Sequence, residues 1–132
     1  MRARESVWEV RLDANQFARR VFRGAAIYGA LVLTPLYFAP TPAGARVEIN
    51  LGFIGLALVF QGVFWVIGGD PRRYRALMPL AVLEKLVFAI PALALFALGR
   101  LEATVAVFAA LDAILAVLFV IAWRKLPSPA TR

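Results

Sequence analysis

Three ionisable side chains interrupt apolar sequence: the neighbours Glu84 and Lys85, and Asp112. Gln61 is a neutral fourth polar group, and Tyr28 places a phenol in another apolar stretch. An ionisable group at the centre of a membrane helix costs on the order of 2.5 to 3.5 kcal/mol, so such groups belong where they find partners. Two carboxyls and an ammonium support several kinds of chemistry. They can receive the polar head of a hydrophobic small molecule, a lipid or a partner membrane helix. One carboxyl can protonate a carbon while the other takes up a proton, as in an isomerase acting on a lipid-derived substrate. They can serve a proton-coupled carrier, although carriers are commonly built from internal repeats and no repeat is evident here. They can also do no chemistry and fix the register of helices.

The elements that must position these groups follow from composition. The chain has 132 residues, 62% of them hydrophobic and 17% charged, with a mean hydropathy of +0.77. That is more apolar surface than a soluble domain of this length can bury, and a membrane protein is expected. Apolar stretches run over about 24–39, 51–69, 77–98 and 103–123. Each is long enough, with tilt or interfacial flanks, to cross a hydrocarbon core of roughly 30 Å. The expected fold is all-α: one integral membrane antiparallel four-helix bundle over 1–132, with an amphipathic N-terminal arm over 1–23 and no room for a separate soluble catalytic domain. With no Cys and no His, disulfides, thiolate nucleophiles, the usual zinc sites and His-ligated haem are excluded. No metal and no cofactor is expected.

The net charge is +7, which on a basic soluble face would suggest nucleic acid. Here the cations lie between apolar stretches, so topology explains them and no nucleic-acid partner is expected. Apart from Lys85 they divide twelve against two. Arg2, Arg4, Arg11, Arg19, Arg20 and Arg23 precede the first span; Arg72, Arg73 and Arg75 lie between the second and third; Arg124, Lys125 and Arg132 follow the fourth. Only Arg46 and Arg100 fall in the other loops. Positive loops stay on the cytoplasmic side, so both termini are expected there. Arg19-Arg20-Val21-Phe22, before an apolar run and the small-residue stretch Ala39 to Ala45, also has the outline of a twin-arginine export signal, and the remaining spans would be equally well oriented after its removal.

Asp13 and Gln16 have capping-box spacing, which predicts a first helix starting near Ala14 and entering the bilayer near Gly24 as one rod. Val10, Ala14, Phe17, Ala18 and Val21 recur at helical spacing opposite Arg11, Arg19 and Arg20, the pattern of an interfacial helix. Asp70-Pro71 reads as a helix N-cap followed by proline at the first helical position. Arg72, Arg73 and Arg75 then make a basic segment that either anchors topology or binds the headgroups of membrane lipid. Pro40, Pro42 and Gly44 predict an irregular outer loop. The very short connection at Gly99 predicts a tightly packed hairpin of the last two helices.

Counted from the cytoplasmic ends, Gln61 and Glu84 lie about 9 to 11 Å deep and Asp112 about 16 Å, with Tyr28 within a turn of that depth. Ala109, Ala113 and Ala116 share the side of Asp112, while Leu111, Ile114, Leu118 and Ile121 face away, which turns Asp112 toward the bundle. Glu84 and Lys85 diverge by about 100° on their helix. Glu84 and Asp112 are expected to lie toward the bundle interior with Lys85 charge-paired to at least one of them, best placed to lean to Asp112 and leaving Glu84 to meet Gln61 or Tyr28. Pro91, on the Glu84 face, leaves the Val87 carbonyl without its helical donor and predicts a kink that can line a polar cavity.

From Gly52 to Lys85 the sequence resembles a family of small, uncharacterised bacterial inner-membrane proteins with four helices. The matching residues are Gly52-Phe53, Gly55, Gln61, Phe64, Asp70-Pro71, Arg73-Tyr74-Arg75, Leu77-Met78 and Leu83-Glu84-Lys85; Asp112 and Ile27-Tyr28-Gly29 fit as well. The outer loop departs from the pattern in lacking a histidine-and-proline element. In layout the chain is also similar to DoxX-like proteins and to the EXPERA group, whose carboxylates serve a lipid-derived ligand. The resemblance implies an architecture and a bacterial inner-membrane location; layout alone carries no activity.

Overall fold

The computed structural model describes residues 2–128, with side chains from residue 6 onward. Of the cations counted above, Arg132 lies outside the described residues, and Arg2 and Arg4 are described as backbone only. The chain forms four helices: α1 (Arg2–Phe38), α2 (Val47–Gly69), α3 (Met78–Ala97) and α4 (Ala103–Lys125). There is no strand among the described residues. All four helices are long and apolar enough to cross a membrane. The all-α four-helix bundle expected from the sequence is the observed architecture.

The bundle is two hairpins. α1 packs extensively on α2 and α3 on α4; α1 also meets α4, whereas α2 and α3 touch lightly. Small residues make the close approaches. Ala14, Ala18, Ala25 and Ala26 are the buried face of α1, and Ala106, Ala109, Ala116 and Ala122 that of α4. Dispersion between well-packed surfaces, rather than exclusion of water, drives helices together in lipid, and small side chains let the backbones close up. The largest buried side chains are aromatic. Phe22 of α1 stacks on Phe119 of α4, centroids 4.3 Å apart and planes 10° from parallel, while Phe64 of α2 meets Phe119 edge-on at 5.0 Å. The outer faces are apolar and uncovered, as Leu31 (71% exposed) and Val87 (70%) show.

Two local features differ from the sequence expectation. α1 begins at Arg2 rather than near Ala14, so Asp13 and Gln16 are exposed residues within a helix and not its cap. The reason is tertiary: Arg72 donates from Nη2 to the Arg11 carbonyl at 3.2 Å, which ties the segment before Ala14 to the α2–α3 connection, while Ala14 and Ala18 seat the next turns in the core cluster of Met78, Ala81 and Leu126. Second, Asp70 does not cap α3. Its Oδ1 accepts the Arg73 N–H at 3.2 Å, closing a turn that leads through one 3-10 turn (Arg75–Leu77) to the start of α3 at Met78. α3 is one helix from Met78 to Ala97 with Pro91, itself exposed, inside it.

The α3–α4 connection fits its sequence. Gly99 has φ +67°, the Arg100 N–H donates to the Leu95 carbonyl and the Gly99 N–H to that of Phe96, both at 2.9 Å. This Schellman arrangement needs a left-handed residue, and glycine supplies it without steric cost.

Candidate polar site within the bundle

Lys85 is the hub. It turns inward from α3, is 5% exposed, and holds Nζ 3.2 Å from Glu84 Oε2 and 3.3 Å from Asp112 Oδ1. α3 thus supplies two of the charges and α4 the third, and the extensive α3–α4 contact fixes their spacing. The ring of Phe64 from α2 lies under the ammonium, 5.2 Å from Nζ to centroid, within the range of cation–π attraction. About 10 Å of helix separates Lys85 from the start of α3, so the site lies well inside the apolar zone.

The two carboxylates are not equivalent. Asp112 reaches Lys85 across the helix interface. Glu84 is its sequence neighbour, and although Oε2 is close, it is buried and accepts no aligned hydrogen bond. Proximity without alignment forgoes much of the strength of a charge-assisted bond. Formally the cluster carries one more negative than positive charge.

The remaining polar residues do not complete the cluster. Tyr28 of α1 lies within electrostatic reach of Asp112. Gln61 of α2 is 4% exposed but meets neither Glu84 nor Tyr28 by hydrogen bond. Its Nε2 donates to the Ala57 carbonyl one turn back at 2.8 Å, and its Oε1 is buried with no donor. The amide lies against Gly29 of α1, where any Cβ would collide with it. Glu84 therefore turns to Lys85 rather than to Gln61 or Tyr28. Phe64 and Gly29 are part of the site although polarity alone did not mark them; the glycine directly after Tyr28 was the available signal.

At the other candidate region, Arg72 is engaged by the Arg11 carbonyl, Arg73 lies over Tyr74 at 5.5 Å and Arg75 over Trp123 at 5.0 Å. Open concavities occur at Glu9, Val10, Leu12, Asp13 and Gln16, and at Ala45, Arg46, Ile49, Asn50 and Phe53. Both lie away from Lys85 in sequence and element. Among the described residues no group of three His, Cys, Asp or Glu side chains is placed to hold a metal ion.

Four apolar helices around a buried polar cluster are the build of a small multi-pass membrane protein. No family model matches the chain, and no curated protein and no solved structure matches it.

Proposed function

We propose that this protein is a binding module whose intramembrane polar site receives a hydrophobic molecule, a membrane lipid or lipid-like compound, through a hydrogen-bond-donating head. The observation that carries this reading is an orphan acceptor: Gln61 Oε1 is buried with no donor, and Glu84 Oε2, ion-paired to Lys85 at 3.2 Å, forms no aligned hydrogen bond with it. An unmade hydrogen bond in a low-dielectric site costs about 1 to 3 kcal/mol, and a hydroxyl or amine brought by a ligand would recover it. Both carboxylates turn to one ammonium, an arrangement that favours a held polar site over an acid–base pair open to a substrate. For this reason the isomerase and the proton-coupled carrier are placed second.

Gently purified protein, analysed by mass spectrometry, should carry a reproducible lipid-like compound at near-stoichiometric amount. Glu84→Gln should keep the helical content and the elution volume but lose the compound, because the shape survives and the charge does not. Equal retention by wild type and variant would remove the site from the account.

The proposed setting is the bacterial inner membrane with both termini cytoplasmic, in line with the family that Gly52–Lys85 resembles and with the twelve-to-two cation distribution. The chain has no cysteine, so single cysteines report cleanly. One placed within 40–50 should react with an impermeant maleimide from the periplasmic side, and one within 70–75 should not; the opposite pattern would invert the topology.

A further inference from the structure

Two arginines near the water boundary carry donors that the protein leaves unmet. Arg23 precedes the apolar run of α1 and lies along the end of α2. A Cβ on Gly68 would stand 2.7 Å from Arg23 Cγ and 3.1 Å from its backbone N, so glycine there is what lets the two helices come this close. The resulting trough lays the guanidinium on Trp65, with Cζ 3.7 Å from the ring centroid. Arg75, ahead of α3, lies over Trp123 near the end of α4, Cζ to centroid 5.0 Å. In both, Nε is buried and finds no acceptor.

Neither arginine has a carboxylate partner among the described residues, where the ion pairs are Arg46–Glu48 and the two made by Lys85. A guanidinium stays charged in any protein environment and presents its N–H groups as a planar fork that matches a phosphate. Water has already been stripped from one edge of each fork, so an anion at the remaining donors meets a poorly hydrated cation. The indole beside each fork is an amphipathic ring of the type that settles at the headgroup level. Trp65 is 46% exposed, open to the acyl region on that side. Each of the two helical hairpins thus offers one stacked arginine at the same end of the bundle.

We propose that Arg23 with Trp65, and Arg75 with Trp123, form two binding sites for the phosphate of an anionic phospholipid. The fork takes the phosphate and the indole lies against the glycerol and upper acyl chain. These sites are independent of the polar site around Lys85. Arg72 and Arg73, next to Arg75 in sequence, are not part of them: one is held by the Arg11 carbonyl and the other lies over Tyr74.

Bromine on an acyl chain quenches a neighbouring indole, so lipid contact is read directly. In a Trp8→Phe background the remaining indoles are Trp65 and Trp123. The protein is reconstituted into phosphatidylcholine vesicles holding a minor fraction of either brominated phosphatidylglycerol or brominated phosphatidylcholine. The phosphatidylglycerol should be enriched at the indoles by more than the about fivefold that one surface cation gives by charge alone. Arg23→Gln with Arg75→Gln should abolish the preference. The Arg23→Lys, Arg75→Lys pair keeps the charges that orient the chain and should fall back to about that fivefold preference, because an ammonium offers charge but no fork. Equal quenching by the two lipids overturns the proposal, as does full preference in the lysine pair. Displacement of the lipid by sodium phosphate, but not by sodium chloride at matched ionic strength, would identify free phosphate as the ligand and overturn the assignment to a lipid.

Discussion

Replacing Lys85 by Met should destabilise the folded bundle by about 3 to 5 kcal/mol, the usual cost of removing one partner from a buried ionic cluster. Lys85 is the only cation within ion-pair distance of Glu84 and Asp112 among the described residues. Its loss leaves two carboxylates confined to a site built around a positive charge. The loss of volume is small, since Met follows much of the lysine stem, so the effect isolates charge. Glu84→Gln and Asp112→Asn added to Lys85→Met should recover most of the stability, because the neutral trio has no uncompensated charge. Thermal unfolding in detergent micelles reads both results. A neutral single variant, or a triple variant no better than the single, would show that the cluster is not what holds α3 and α4 in register.

Gly29 carries the second large effect. A Cβ added there would run straight into the Gln61 amide. Gly29→Val should cost about 1 to 3 kcal/mol through overpacking. The clash is with the end of one side chain, so Gln61→Ala in the Gly29→Val background should return most of it. Gly29→Ala is expected to lie between, since the gain in helix propensity of about 1 kcal/mol partly offsets the contact. A valine tolerated without loss, or one that Gln61→Ala fails to relieve, would mean that α1 and α2 do not approach as described.

The spans and the inward turn of Asp112 were legible because lipid-facing positions must be apolar, so each polar residue stands out against its helix. The pairing of Lys85 with Asp112 was legible for the same reason, from the wheel of α4 and the short connection at Gly99. That Lys85 would also hold Glu84 was not. A flexible stem can reach a neighbour's carboxylate even when the two α-carbons point about 100° apart. Nor was the fate of Gln61, whose Nε2 takes the nearest carbonyl on its own helix, that of Ala57. The start of α1 was misplaced because capping is a local signal. The segment before Ala14 is tied instead by Arg72, which donates to the Arg11 carbonyl from 61 positions away. The stacking of Arg23 on Trp65 depends on the register of α1 against α2, which Gly68 permits but no single-helix pattern reveals.

An ammonium bridges two carboxylates inside the bundle, and its distance to Asp112 is the most direct thing to measure. The chain has two lysines, Lys85 and Lys125, so in a Lys125→Arg variant labelled with ε-¹⁵N-lysine every side-chain ammonium signal belongs to Lys85. Rotational-echo double-resonance NMR in lipid bilayers, with ¹³C in the aspartate side-chain carboxyl, then measures its approach to Asp112. The structure places Nζ 3.3 Å from Asp112 Oδ1, so strong dephasing of the Lys85 signal is expected, and Asp112→Asn prepared with unlabelled asparagine should abolish it. A Lys85 signal that aspartate carbon does not dephase would contradict the account.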